Sequence, residues 1–363
     1  MFMRTCPLLT RNIFSLRQKL KPLGNSLKPR QPDSRNRSSN PKTMAGAIAG
    51  TAAVKLTDAS DRLKLVTITV NNACNLQCPH CYLQYDGRRS FISEQTLTNV
   101  FSTSFEHLAI VGKEPLIDRE ASQLVSSITS RASSKGIGVS LITNGIGLPF
   151  LSPQTISELS YIDISFDGGP ETYDSYRHGS YRALIAKINK LIAHRSCRIN
   201  ALNVLNDRTI DNIEDMLKVQ YDVPVATILF SPYIPTQNNG VNFVSTVSIF
   251  RILEALSQSD KFMTSAQALL MLTRHELPDF PEEDDLRQKL ETLGLDKKVS
   301  YIPHDPILSG IIRVTYDGIA LSPLDSLHAK AYHDNGISLA DCSLEEAFSL
   351  LGTKHLGIAH YVN

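Results

Sequence analysis

From Leu63 to Phe230 short runs rich in β-branched and apolar residues alternate with longer segments of helical periodicity, and this alternation restricts the fold more than any other feature. The runs are Leu63 to Val70, His107 to Val111, Gly138 to Thr143, Tyr161 to Phe166, Arg198 to Leu205 and Ala226 to Phe230. Helical patterns lie between them, near residues 94–105, 118–134, 154–159, 171–194 and 210–220. Strands separated by helices pair in parallel through right-handed crossovers, so the expected class is α/β, either an open doubly wound sheet or a partial (β/α)6 barrel. Periodicity does not separate the two. Past the sixth run the rhythm changes. Helical patterns near 246–258 and 262–274 precede the acidic turn Pro281-Glu282-Glu283-Asp284-Asp285. A strand-turn-strand pattern over Ile311 to Ser322, turning at Asp317-Gly318, and a last helix over Leu344 to Leu351 complete the chain. We read residues 60–240 as the core and 241–363 as a smaller α+β extension.

Residues 1–43 stand apart, with ten Lys or Arg against the single acid Asp33. Leu9, Ile13, Leu16 and Leu20 fall on one helical face. Basic, acid-poor and amphipathic composition suits an organellar transit peptide. A disordered arm, or an upstream extension with the working start at Met44, accounts for it equally. The whole chain carries 37 basic against 36 acidic residues, so nothing global draws it to nucleic acid or an anionic membrane. No apolar run approaches the roughly 18 residues that span a bilayer.

Six cysteines occur, three of them within eight residues, at Cys74, Cys78 and Cys81. The string Cys74-Asn75-Leu76-Gln77-Cys78-Pro79-His80-Cys81-Tyr82 follows the first β run directly. Clustered thiols in a chain with so large an apolar fraction point to metal in a reducing compartment, hence the cytoplasm, or an organelle if residues 1–43 are a targeting segment. Three thiolates on one loop suit three corners of a cubane cluster with the fourth iron open. A zinc site completed by His80 is the rival reading, although no second ligand cluster is present.

This C-x3-C-x2-C string, with Tyr82 next, resembles the signature of the radical S-adenosylmethionine (radical SAM) superfamily, and the likeness runs from about Leu63 to Pro235. The resemblance implies a partial (β/α)6 TIM-like barrel. It also implies a 4Fe-4S cluster on Cys74, Cys78 and Cys81, with S-adenosylmethionine chelating the remaining iron. Gly112-Lys113-Glu114-Pro115 is similar to the family's G-G-E-P motif, with Lys113 replacing its second glycine. By that likeness Gly112 and Glu114 meet the methionine amino group. Thr143-Asn144-Gly145 resembles T-N-G, which adds Asn144 to the cofactor residues. The run Ser165-Phe166-Asp167-Gly168 through Arg177 is similar to a string of the peptide-modifying branch. It implies that Ser165 and Arg177 contact the methionine carboxylate and that Asp167 binds ribose or substrate. Asn203 resembles a ribose contact, and Tyr233 and Pro235 an adenine lining.

The carboxyl-terminal region is similar to the SPASM or twitch extension, but Cys342 is its only cysteine and Pro323-Leu324 stands where that family has Pro-Cys. No auxiliary cluster is expected, and Cys197 and Cys342 are expected in the core. The resemblance implies hydrogen abstraction from a peptide or protein through the 5'-deoxyadenosyl radical, with an electron donor such as ferredoxin or flavodoxin. The alternatives are a step in small-molecule or cofactor biosynthesis and a non-catalytic zinc or iron-sulfur module.

Overall fold

Each of the six β runs becomes a strand: β1 (Leu65–Thr69), β2 (His107–Val111), β3 (Gly138–Thr143), β4 (Tyr161–Ser165), β5 (Ile199–Leu205) and β6 (Val225–Pro232). The computed structural model describes residues 62–81, 89–194, 197–233, 246–271, 283–302, 310–323 and 335–359. Helices α1 (Glu94–Ser102), α2 (Arg119–Ser134), α3 (Pro153–Glu158), α4 (Tyr173–Arg177), α5 (Tyr181–His194) and α6 (Ile213–Asp222) fill the intervals. Their starts are written locally. Ser93, Asp118 and Ser152 each accept a backbone N–H from the first turn of α1, α2 and α3. Within the expected helix 171–194, His178 takes a left-handed conformation (φ 55°) and divides α4 from α5.

The strand order settles what periodicity left open. β1 to β6 lie side by side in rising sequence order, and every neighbouring pair is parallel. A right-handed crossover that always steps the same way puts every helix on the same face, so the sheet curls as a partial barrel rather than winding doubly. Val66, Ile68, Leu108, Ile110, Val139, Leu141, Ile162 and Ile164 are fully buried on the helix side. Alternation turns Thr67, Thr69, His107, Ser140 and Asp163 to the concave side.

The parallel sheet does not stop at six strands. Residues 262–274, expected as a helix, divide into the end of α8 (Asp260–Ser265) and strand β7 (Gln267–Met271), preceded by α7 (Thr246–Gln258). The short apolar run Ala268-Leu269-Leu270 fits either period, and the open edge of β6 decides by offering a ladder from Thr227↔Gln267 to Phe230↔Leu270. An unanticipated β8 (Val299–Ile302) follows α9 (Glu283–Thr292) and pairs with β7. The expected hairpin is present as β9 (Ile311–Val314) and β10 (Ile319–Leu321), turning at Gly318 with φ 83°. β9 adds in parallel to the free side of β1, and β11 (Ile337–Ser338) extends the edge. Helix α10 (Leu344–Ala359) follows, and its start is clamped to α1 by Asn99, which donates to the Leu339 and Cys342 carbonyls and accepts Leu344 N–H. Cys197 and Cys342 are half-buried and pack against the core from its edge rather than within it.

Candidate metal centre

The cysteine loop leaves the carboxyl end of β1 and is tied down before it reaches the first thiol. Asn71, fully buried, donates its side-chain amide to the Glu114 carbonyl at 2.9 Å, and its own carbonyl accepts Lys113 N–H at 3.1 Å. Glu114 N–H returns to the Ala73 carbonyl at 2.9 Å, so the loops after β1 and β2 are stitched by their backbones. This close passage explains Gly112: a Cβ there would come within 3.2 Å of Asn71 Oδ1 and of Pro115 N. Lys113, where the family motif has a second glycine, still supplies its backbone N–H to Asn71.

Cys74, Cys78 and Cys81 are half-buried and free of disulfides. Cys74 Sγ accepts Leu76 N–H at 3.3 Å, and Cys81 N–H closes a turn on the Cys78 carbonyl at 3.1 Å. Burial raises the Cys74 thiol pKa and pushes Cys78 up to about 11, with the Arg177 charge opposing the rise at both. Thiols so placed keep their protons until a metal displaces them.

Glu114 is the junction of the site. Its carboxylate is buried at 1% exposure, with one oxygen accepting Leu116 N–H (2.9 Å) and Thr143 Oγ1–H (2.6 Å) and the other Asn144 N–H (2.7 Å). Burial raises its pKa, and those three donors work against the rise. Asn144 carries the connection onward by donating its side chain to Asn75 Oδ1 at 2.8 Å, inside the cysteine loop.

On the opposite side, Asp167 adopts a left-handed backbone (φ 53°) that an aspartate reaches at a cost. Its buried carboxylate accepts Val204 N–H at 2.6 Å, pairs with the Arg177 guanidinium, and lies 3.3 Å from His80 Nε2. It is therefore committed within the protein rather than open to ribose. Burial works against the Arg177 charge, yet Asp167, Cys78 and Tyr173 outweigh it and raise the pKa further. The turn behind Asp167 is fixed by Asp215 on α6, whose carboxylate accepts Gly169 N–H (2.9 Å), Thr172 N–H (3.0 Å) and Thr172 Oγ1–H (2.7 Å).

Of the residues singled out from sequence, the structure thus brings Cys74, Cys78, Cys81, Gly112, Glu114, Asn144, Asp167 and Arg177 to one end of the sheet. Ser165 ends β4 on the concave side, half-buried. Asn203 is 1% exposed with both amide atoms unpartnered, but alternation on β5 gives it the face of Ala201 and Leu205 rather than that of Leu202 and Val204. Tyr233 is buried beyond the end of β6. Tyr82 and Pro235 lie outside the described residues. Asn71, Asp215 and Asn206 carry no motif and were not anticipated, because each acts on a partner remote in sequence.

Among the described residues no three His, Cys, Asp or Glu side chains gather closely enough to hold a metal ion. Three cysteine thiols on one loop are the donor type that holds an iron–sulfur cluster. His80, the fourth ligand that zinc would have needed, has Nδ1 against the Tyr176 hydroxyl at 2.9 Å and Nε2 against Asp167. Burial lowers its pKa and keeps the ring neutral. Thr69 Oγ1, on the concave side at the end of β1, and Arg177 Nε are buried without partners, leaving polar groups for a polar ligand beside the thiols.

Residues 68–239 match the family model described as the radical SAM superfamily. The chain is 24% identical over 182 residues to GTP 3',8-cyclase of Alkaliphilus oremlandii (strain OhILAs), covering 46% of this chain and 55% of that protein. It is 30% identical over 122 residues to PqqA peptide cyclase of Rhizobium meliloti (strain 1021), covering 31% of each. The chain thus spans about half of one curated relative and a third of the other. In three dimensions it is similar to Streptococcus suis SuiB bound to S-adenosylmethionine, with a TM-score of 0.56 at 12% identity, covering 79% of this chain and 66% of that one. The family uses a 4Fe-4S cluster and S-adenosylmethionine, as the three free thiols and the open polar groups beside them accommodate. Over residues 68–239, just under half of its length, the chain is similar to the radical SAM superfamily.

Proposed function

We propose that the chain is a radical SAM enzyme that abstracts a hydrogen atom from a peptide or protein. The observation that carries this reading is the trio of disulfide-free thiols on the loop after β1, ringed by Glu114, Asn144, Asp167 and Arg177. Cys74, Cys78 and Cys81 hold three irons of a 4Fe-4S cluster. Bound together, cluster and S-adenosylmethionine supply one-electron cleavage of the sulfonium and a 5'-deoxyadenosyl radical. The protein's part is to position and enclose. Arg177 offers its unpartnered Nε, and Ser165 its hydroxyl, to the methionine carboxylate. Gly112 lets the β2 loop approach the methionine amino group. Glu114 faces that group with the one lone pair its internal donors leave, and it holds the ends of β2 and β3 at fixed distance. Asn144 flanks the cluster loop, and Asp167 orients Arg177. Residues 60–240 form the cofactor-binding core, and residues 241–363 the smaller extension that lengthens its sheet.

The peptide substrate is supported by the likeness to PqqA peptide cyclase. A one-electron donor, ferredoxin or flavodoxin, and a reducing compartment are required. No helix among the described residues is long and apolar enough to cross a membrane. Anaerobic reconstitution tests the reading. The expected result is about four irons with matching sulfide per chain, and 5'-deoxyadenosine release on reduction with S-adenosylmethionine. Replacing Cys74, Cys78 or Cys81 by Ala should abolish the cluster, while Cys197→Ala and Cys342→Ala should leave it. Tightly held zinc, or a cluster retained without Cys78, would overturn the assignment.

A further inference from the structure

His80 lies between two of the proposed ligands, yet every bond its ring makes is directed away from them. The ring stacks flat on Tyr176, with centroids 5.3 Å apart and planes at 6°. Its Nδ1 is 2.9 Å from the Tyr176 hydroxyl, which also takes a bond from Asn206 Nδ2 at 2.6 Å. Its Nε2 is 3.3 Å from Asp167 Oδ2, and the second oxygen of Asp167 accepts Val204 N–H. A single tautomer satisfies the whole series. Asn206 donates to the Tyr176 oxygen, Tyr176 donates to His80 Nδ1, and His80 Nε2–H donates to the Asp167 carboxylate. Asn206 is itself fully buried and accepts Arg208 N–H and Thr209 N–H on its side-chain oxygen, so the series is anchored in rigid backbone. The series starts beyond β5, passes through the cysteine loop, and returns to β5 at Val204.

We propose that His80 is a positioning residue of the cysteine loop, holding the span from Cys78 to Cys81 against the ends of β4 and β5 through the Asn206–Tyr176–His80–Asp167 series. The inference rests on the cluster-binding reading above and goes beyond it in assigning a role to a side chain that touches neither iron nor cofactor. Cys78 and Cys81 flank a Pro-His pair and share a turn in which Cys81 N–H meets the Cys78 carbonyl. The grip of the intervening His80 side chain adds to that turn in setting where the two thiols lie. Loosening that grip frees the loop while the barrel stays folded, because none of the three bonds belongs to a strand or helix ladder.

The test uses the reconstituted full chain as wild type, Tyr176→Phe, His80→Gln and His80→Leu. Tyr176→Phe keeps the stack and removes one hydroxyl, and His80→Gln keeps a donor toward Asp167. Read out are the rate of iron loss to a chelator under anaerobic conditions, the electron paramagnetic resonance spectrum of the reduced cluster with and without S-adenosylmethionine, and circular dichroism. The expected result is iron loss about tenfold faster in Tyr176→Phe, the equivalent of one buried hydrogen bond, and faster again in His80→Leu. His80→Gln should lie between, with an altered spectrum and unchanged melting. Wild-type rates and spectra in both Tyr176→Phe and His80→Leu would overturn the inference while leaving the cluster intact. Iron loss that merely tracks a lowered melting temperature would overturn it too, as general destabilisation. A wild type that assembles no cluster would sink the functional reading, and this inference with it.

Discussion

Asp163 stands on the concave side of β4 at 7% exposure, with Asn200 donating to Oδ1 at 2.8 Å. Burial raises its pKa from 3.8 to about 7, against the opposing Asn200 bond and the Arg198 charge. An acid whose pKa is raised on folding favours the folded state at low pH. That contribution is complete below the unfolded value and is lost as pH climbs through the folded one. From pH 5 up to the folded pKa the folded state keeps a proton that the unfolded state has released, so stability falls by about 1.4 kcal/mol per pH unit, and the fall levels off above it. Asp163→Asn removes the titration while keeping volume and an acceptor for Asn200. The free energy of urea unfolding, followed by circular dichroism on the full-length chain, should therefore shift in favour of Asp163→Asn by about 3 kcal/mol between pH 5 and pH 8. His107, which burial lowers to about 4, is common to both proteins and subtracts out. A gap constant to within about 0.5 kcal/mol, or one that closes as pH rises, would show that Asp163 is not desolvated as its packing demands.

Other changes test the supports of the site. Glu114→Gln must turn an amide NH2 toward one of three buried donors whichever way it flips, so it should cost about 2–3 kcal/mol in urea unfolding; a neutral effect would refute the junction role. Asp215→Ala strands the N–H groups of Gly169 and Thr172, and about 3 kcal/mol should be lost, with faster proteolysis near α4 than elsewhere. Asn99→Ala removes the clamp on Leu339, Cys342 and Leu344, and limited proteolysis should then release the α10 segment first.

The strands under the helices were legible because a parallel strand buried on one side by crossover helices must be rich in Val, Ile and Leu, as Val66 to Ile68 and Ile162 to Ile164 are. β7 was not, since a short apolar run carries no period of its own and only the edge of β6 makes it a strand. The same distinction runs through the site. Cys74, Cys78, Cys81, Glu114 and Asp167 sit in strings whose spacing announces a loop at a strand end. Asn71, Asn206, Tyr176 and Asp215 do not, because their partners lie 30 to 96 residues away and chain spacing carries no trace of them. His80 was visible only as a conceivable metal ligand; the contacts that exclude it from that task come from β4, β5 and α4.

These remote contacts make the loops above the sheet one connected frame rather than five separate turns. The β1 loop is stitched to the β2 loop by Asn71 and Ala73, β2 to β3 by Glu114, and β3 back to the β1 loop by Asn144 and Asn75. A second circuit runs from the β1 loop through His80 to Asp167, and on to Val204 at the end of β5. The cysteine loop belongs to both circuits. Its thiols are therefore fixed by buried groups on β2, β3, β4 and β5, and a loss in either circuit should reach them without touching sulfur. A site assembled this way keeps its geometry through backbone and buried polar bonds, which do not relax as exposed side chains do. It follows that changes in Glu114 and in His80, which enter through different circuits, should combine more than additively on iron retention. Simple additivity would mean that the two circuits hold different parts of the loop and that the frame is not one unit.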